Sequence, residues 1–342
     1  MNKTHLKGLD GLRAICALCL LLGHIPQSDF ASWSVCSIPI PVCCAYVFFV
    51  ISGFLAGYRI DEISSAKSYY KKKAKKLLPL YFSYILFSTL VFIILGYGDE
   101  VINPRIWYYL FLVPGVPFCS RSGILPLVHL WFIGSLVLFY MVFPLFAKIN
   151  KDRAILAAAI IAIIWFIIKL GVRFVLGKES FLYRFTGITC FDILFLGVLG
   201  GIAEKSELKL VKTLKKTQIN RVFSLFAWAL FLFSGFYERF IPAPVRAEFI
   251  SILSLIIIIT QLVPKPIPSI DNTFLNWLSG FSYEFYVIQI LLIILLSYFY
   301  SCLGLNLPDF LIYLFCIFTV TGCAWLCNRG LLVFRHKSQV HH

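Results

Sequence analysis

Ile155-Leu156-Ala157-Ala158-Ala159-Ile160-Ile161-Ala162-Ile163-Ile164-Trp165-Phe166-Ile167-Ile168-Lys169-Leu170 is a block of apolar residues broken by one lysine. It does not alternate, so it is not the period-two strand that an outer-membrane barrel needs. A helix at the surface of a soluble domain would carry a polar face. Here isoleucine, alanine and the aromatics occupy every face, which is the pattern of a helix surrounded by apolar medium.

The rest of the 342-residue chain has the same character. Charged residues make up 14% of it, against about 25% in soluble globular proteins. Apolar residues make up 60% and the mean hydropathy is +0.87. Too few polar side chains exist to cover a water-soluble body. This excludes a soluble enzyme, a disordered chain and a disulfide-built secreted domain. The composition therefore predicts an all-α fold: a polytopic membrane bundle forming a single membrane-embedded domain over 1–342, with no appended soluble domain.

A spanning helix needs about 20 mostly apolar residues. On that measure about ten transmembrane helices are expected, at 9–26, 42–60, 78–96, 129–149, 154–172, 185–203, 222–240, 246–263, 275–300 and 310–333. The stretch Ile106 to Phe118, with Pro114 and Pro117, is too short to span and reads as interfacial or re-entrant. The N-terminal apolar stretch from Ala14 to Ile25 is read as the first helix, with Pro26 ending it. Arg13 inside it, and the lack of a small-residue cleavage site after it, speak against a secretory signal.

Basic residues orient the bundle. With both N- and C-termini cytoplasmic, eight of the 31 Lys and Arg fall on the other side: Arg105, Arg121, Lys169, Arg173, Lys178, Arg184, Arg239 and Arg246. The remaining 23 are cytoplasmic, including the clusters Lys71 to Lys76 and Lys205 to Arg221. The net charge of +15 is thus mostly topogenic, with no nucleic acid as partner, although an anionic ligand on the inner side is also favoured. The expected location is the plasma (inner) membrane.

Ionisable groups at membrane depth are costly and face a cavity or a partner. The first helix holds Asp10, Arg13 and His24. Eleven residues separate Arg13 from His24, about 1100° of helical turn, which puts both on one face roughly 16 Å apart. Asp10 lies three residues before Arg13 and can pair with it. Two readings are open: a general base above an anion-binding cation, or a snorkelling arginine with a histidine that bonds another helix. The Lys71 to Lys76 cluster is expected in a loop after the second helix, as topogenic charge or as a phosphate cradle. Lys73 and Lys76 are i,i+3 neighbours if the third helix starts early. Trp131 opens the fourth helix as an interface anchor, and His129 is expected to be solvated. Tyr283, Tyr286 and Gln289 are spaced by three and share one face. Glu284 and Asp192 are acids at membrane depth, each either lining a cavity or partnering a buried arginine.

The eleven cysteines form no metal or redox pattern; Cys16 and Cys19 read as packing, and an outer-face bridge between Cys36 and Cys43 stays open. No zinc spacing, phosphate-binding glycine loop or serine nucleophile elbow is present. No metal site is expected.

Leu9-Asp10-Gly11-Leu12-Arg13, followed by His24 in an Arg-x10-His spacing, resembles the signature of acyltransferase family 3, integral-membrane acyltransferases. Phe48-Phe49-Val50-Ile51-Ser52-Gly53-Phe54 looks like its second motif, and Lys73-x-x-Lys76-Leu77-Leu78-Pro79 like its Arg-x-x-Arg-x-x-Pro loop. His129-Leu130-Trp131-Phe132 and Gly280-x-Ser282-Tyr283-x-x-Tyr286 fit its later motifs. The matches run in family order from Leu9 to about Gln289.

The resemblance implies ten or so helices and transfer of an acyl group, commonly acetyl, from cytoplasmic acyl-CoA to a hydroxyl of a carbohydrate or glycolipid acceptor at the membrane. It makes His24 and Arg13 the catalytic pair, and Arg13, Lys73 and Lys76 the contacts to acetyl-CoA, a co-substrate with no permanently bound cofactor beside it. Asp10, Trp131, Tyr283, Glu284, Tyr286 and Gln289 become cavity-lining candidates. Three departures are visible: Lys for Arg at both loop positions, which keeps charge but loses the bidentate fork; Leu136 where a subset of the family has Glu; and Gln289 where many members have His. A transporter or flippase for an anionic or lipid-linked solute suits the composition equally well and is separated by the histidine chemistry.

Overall fold

The computed structural model describes residues 6, 8–25, 40–102, 106–112, 126–234 and 240–340. Every regular element among them is helical. The principal helices are α1 (Leu9–His24), α2 (Ile40–Tyr58), α3 (Ala66–Ile94), α4 (Trp131–Phe146), α5 (Lys151–Leu176), α6 (Phe181–Thr189), α7 (Phe191–Lys205), α8 (Thr217–Leu232), α9 (Ala243–Gln261), α10 (Thr273–Ser279), α11 (Ser282–Cys302) and α12 (Asp309–Val340). Each of the ten apolar segments overlaps a helix among the described residues. Among the described residues, seven stretches are long and apolar enough to cross a membrane: Ala66–Ile94, Val128–Phe146, Arg153–Leu176, Phe181–Lys205, Pro244–Gln261, Ser282–Cys302 and Asp309–Leu332. Two shorter apolar helices, Cys44–Tyr58 and Gln218–Leu232, accompany them.

Two expected segments are each built from two helices. The segment at 185–203 is broken at Cys190, whose φ of 49° lies in the left-handed region, so α6 ends and α7 begins there. The segment at 275–300 is divided into α10 and α11 around Gly280 and Phe281. Of the stretch from Ile106 to Phe118, only a short helix, Ile106–Leu110, and the turn after it are described. Pro114 and Pro117 lie outside the described residues, as do Lys3, Lys7, Pro26, Arg105, Arg121, Arg239, Cys36 and the side chain of Cys43.

The Lys71 to Lys76 cluster corrects the sequence reading. It is not a loop. Helix α3 starts at Ala66, where the Ser65 hydroxyl caps it by accepting from the Ser68 amide at 3.1 Å. It then continues through the lysines and past Pro79. Lysine is a good helix former, and the cap supplies the start signal that the apolar count alone misses. Beyond Pro79, α3 exposes Leu86, Phe87, Leu90 and Ile94, and α5 exposes Ile160, Ile163, Ile164 and Ile167. Such rows of exposed apolar side chains are stable only against lipid.

The chain forms two units, Met1–Cys44 with Ile270–His342, and Ala45–Ser269. In the second unit, α2 and α7 touch backbone to backbone. A Cβ placed on Gly53 would lie 2.0 Å from the Leu194 carbonyl oxygen, and one on Gly57 2.2 Å from that of Val198. The reciprocal distances are 2.4 Å from Gly197 to the Val50 oxygen and 2.0 Å from Gly201 to that of Phe54. The two small-xxx-small stripes are complementary, the arrangement by which helices approach closely in lipid.

The same unit contains a buried ionic cluster. The Lys169 ammonium of α5 donates to Asp192 Oδ2 of α7 at 2.6 Å and also to Glu248 Oε1 of α9. Asp192 Oδ1 accepts from the Ile193 amide at 2.9 Å. The sequence placed Lys169 among the eight basic residues outside the cytoplasmic set and left Asp192 as a cavity acid or an arginine's partner. The partner is a lysine, because the small ammonium can reach two carboxylates from one apolar helix.

Two outcomes are expected. Gly53→Ala and Gly201→Ala each destabilise the protein by about 1–3 kcal/mol, the cost of overpacking, in denaturation of detergent-solubilised protein. Gly171→Ala, whose Cβ would meet nothing within 4 Å, leaves stability unchanged or slightly raised. Lys169→Met leaves two carboxylates uncompensated and costs about 3–5 kcal/mol. Adding Asp192→Asn and Glu248→Gln recovers most of that loss in the same assay.

Candidate functional site

Helix α1 begins after Gly8, whose φ of 83° only glycine adopts cheaply. One turn in, a Cβ on Gly11 would lie 2.0 Å from the Ile270 carbonyl oxygen, so α1 lies flush against the strand-free segment that leads into α10. Asp10 stands in the first turn of α1, where the helix dipole favours an acid. Arg13 Nη1 donates to Asp10 Oδ1 at 3.1 Å, and the pair is about three-quarters buried. Ser279, the last residue of α10, donates its hydroxyl to the same Oδ1 at 3.1 Å.

His24 is the last residue of α1, which runs from Leu9 without interruption. Arg13 and His24 therefore keep the common face that their spacing implies, roughly 16 Å apart along the axis. The His24 imidazole faces the side chain of Gln289 on α11, short of ordinary hydrogen-bond geometry. His24 Nδ1 is buried with no hydrogen-bond partner, and so are both polar atoms of the fully buried Gln289 amide. One imidazole nitrogen and both polar atoms of the amide thus lie buried without a hydrogen bond of ordinary geometry, a costly arrangement.

The other candidates on α11 divide. Tyr286 is buried and Tyr283 half-buried, on the face that leads to Gln289. Glu284 points elsewhere: it is buried and accepts from Asn328 Nδ2 of α12 at 3.0 Å. Its partner is an amide, not the arginine that the sequence allowed.

The second unit positions the remaining candidates. The Lys73 ammonium sits 3.9 Å from the centroid of the Tyr140 ring and 5.3 Å from that of Tyr69. The two rings stand edge to face, 6.1 Å apart. Lys73 is thereby half-buried in an aromatic clasp, while Lys76, one turn on, is exposed. Trp131 packs on Phe49 at 5.8 Å, and Phe49 on Phe132 at 4.5 Å. The motif over Phe48 to Phe54 and the motif over His129 to Phe132 therefore meet as one aromatic platform. His129 is buried and edge-on to Tyr84 at 5.6 Å, which corrects the expectation of a solvated side chain.

Three of the six basic residues in the second cluster are paired with carboxylates. Lys205 pairs with Asp61 at 2.7 Å, Lys212 with Glu207 at 2.9 Å, and Lys215 with Glu204. The lysine beside Glu207 holds that exposed carboxyl below its ordinary range. A cluster so paired offers less to an anion than the α3 lysines do.

Residues 6–329 match the profile of an acyltransferase domain, the third family of that name. The chain belongs to acyltransferase family 3. Among relatives, YrhL of Bacillus subtilis (strain 168), named as a peptidoglycan O-acetyltransferase, is 25% identical over 316 residues, covering 84% of this chain and 48% of its own. The O-acetyltransferase OatA of Staphylococcus aureus (strain NCTC 8325 / PS 47) is 26% identical over 220 residues, covering 58% of this chain and 34% of its own. The chain spans about half the length of the first and about a third of the second. No solved structure matches it.

Sequence reasoning missed Ser279, which stands immediately before the motif at Gly280, and Asn328, for which no spacing gave a signal. It also missed the clasp on Lys73: Tyr140 was visible as a polar aromatic in the fourth helix, but nothing in the chain announced that it faces α3.

Proposed function

We propose that this family member is an O-acyltransferase of the plasma membrane that moves an acyl group, in the first instance acetyl, from cytoplasmic acyl-CoA to a hydroxyl of a cell-wall carbohydrate or a lipid-linked precursor. The proposed topology is ten crossings with both termini cytoplasmic. The family supports acyl transfer, the relatives named as O-acetyltransferases support acetyl as the group moved, and the one named for peptidoglycan supports a glycan acceptor. The observation that carries the reading is the α1 stripe. An ion pair at one end can hold a phosphate, and at the other end an imidazole and an amide present buried polar atoms with no partner in the protein.

In this reading Arg13 contacts the acyl-CoA phosphates; Lys73 and Lys76 are assigned to the same donor by their match to the family's loop motif alone. The pantetheine arm extends beside α1 toward His24, a distance of roughly 16 Å from Arg13. His24 accepts the proton of the acceptor hydroxyl as that oxygen attacks the thioester carbonyl. The carbon–sulfur bond then breaks and the CoA thiolate leaves. An acyl-imidazole on His24, resolved by the acceptor hydroxyl, is the alternative chemistry. The Gln289 amide or the Tyr283 hydroxyl donates to the oxyanion. Tyr286, buried on the face of α11 that leads to Gln289, lines the acceptor's path. Lys73, held against Tyr140, supplies a positioned point charge where an arginine would supply a fork.

His24→Ala is expected to lower thiol release from acetyl-CoA by at least about 100-fold while acetyl-CoA binding persists; retained turnover removes His24 from the chemistry. Neutralising both lysines, Lys73→Met with Lys76→Met, is expected to raise the KM for acetyl-CoA about tenfold or more with kcat little changed, since each charged contact contributes on the order of 1.5–3 kcal/mol. An unchanged KM returns both lysines to topology. A transporter would move solute across vesicle membranes without releasing thiol at all, so one thiol assay with peptidoglycan fragments separates the two classes.

A further inference from the structure

We infer that Ser279 is a positioning residue for Arg13, acting through the carboxylate of Asp10. The inference rests, for its kinetic arm, on Arg13 being a contact of the acyl donor.

Asp10 and Arg13 are an i,i+3 pair on a helix that is not fully buried. Such a pair is intrinsically loose: the arginine has many rotamers, and the Coulomb gain is small where water can reach it. A site that must present a guanidinium at one place needs something to hold the carboxylate. Asp10 Oδ1 accepts from Arg13 Nη1 at 3.1 Å and from the Ser279 hydroxyl at 3.1 Å. One donor comes from its own helix and the other from 269 residues away.

The serine is itself fixed. Ser279 is 8% exposed. Helix α10 is capped by Asn272, whose Oδ1 accepts from the Leu275 amide at 2.9 Å. Asn276 Nδ2 donates to Asp271 Oδ1 at 2.8 Å, and Trp277 packs edge-on against Phe281 at 4.8 Å. The close approach of Gly11 to the Ile270 carbonyl leaves the first turn of α1 no lateral play against the chain entering α10. The hydroxyl thus arrives at Asp10 from a rigid platform. Its role is to restrict the carboxylate to one orientation, and the carboxylate in turn orients the guanidinium on the stripe that leads to His24.

The test uses the full chain in nanodiscs and a readout that does not depend on turnover. Phenylglyoxal modifies arginine guanidinium groups, and the rate at Arg13 is followed by peptide mass spectrometry. Ser279→Ala is expected to raise that rate about three- to tenfold, the scale of one ordinary net hydrogen bond, and Ser279→Thr to keep it near the parent value. If Ser279→Ala does not accumulate, Ser279→Cys keeps the shape, weakens the donor and is expected to raise the rate likewise. On an Asp10→Asn background the serine replacement should add nothing, because both act on one interaction. In kinetics, Ser279→Ala should raise the KM for acetyl-CoA by a similar factor with kcat kept, and Ser279→Thr should restore it. An Arg13 rate unchanged by Ser279→Ala, or an additive effect on the Asp10→Asn background, overturns the inference. If the unmodified protein releases no thiol, it is the acyl-transfer reading that fails, and the Arg13 rates still decide the role of Ser279.

Discussion

A charge or hydrogen-bonding group in a low-dielectric environment has to bring its partner with it, and the polar residues of this protein are arranged around that constraint. Lys169 answers it with two carboxylates from two other helices. Glu284 answers it with the Asn328 amide, and Asp10 with a guanidinium and a hydroxyl. Against these pairings, the His24 and Gln289 end of α1 and α11 is conspicuous. Among the described residues of the Met1–Cys44 and Ile270–His342 unit, the buried side-chain polar atoms with no hydrogen-bond partner are His24 Nδ1, both atoms of the Gln289 amide and Asn276 Oδ1. Three of those four atoms belong to one facing pair. In the proposed reading these open atoms are the ones that the acyl donor or acceptor would meet.

The sequence made the helices legible because lipid imposes a length and an apolarity on them that hardly any local feature disguises. It made the α1 stripe legible because 3.6-residue periodicity is local. Arg13 and His24 share a face of one helix whatever the rest of the chain does. What it hid depended on partners from elsewhere. Lys71 to Lys76 looked like a loop because charge was counted and the Ser65 cap was not. Lys169 was counted only by the side on which it fell, because nothing local to its helix names a partner. Only the placement of Asp192 and Glu248 shows that it turns inward. Ser279 was invisible because the carboxylate it meets lies 269 residues away in the chain.

The clasp on Lys73 refines the comparison between lysine and arginine. An arginine at this position would bring a planar fork suited to two phosphate oxygens at once. Lysine is a point charge on a flexible stem, and most of its cost in binding is the entropy of fixing that stem. Holding the ammonium against the faces of Tyr140 and Tyr69 removes part of that entropy before a ligand arrives, and the quadrupoles of the rings keep the charge without neutralising it. The carboxylates around Lys205, Lys212 and Lys215 do the reverse, since they cancel the charge they hold.

The segment from Phe48 to Gly57 carries two jobs on one helix, and both are structural. Gly53 and Gly57 give α2 a face with no side chains, on which the α7 backbone rests. Phe48 and Phe49 give it a second face, which supports Phe132 and Trp131 at the start of α4. Neither face offers an acid, a base or a nucleophile. A motif can therefore be diagnostic of a family without touching the reaction. What ties this segment to function is that α7, held by the glycines, and the opening of α4, held by the phenylalanines, are positioned by the same two turns of helix. A shift of α2 to relieve a clash at Gly53 would move the aromatic platform under Trp131 with it. Substitutions along this stretch should thus be read first as changes in helix packing.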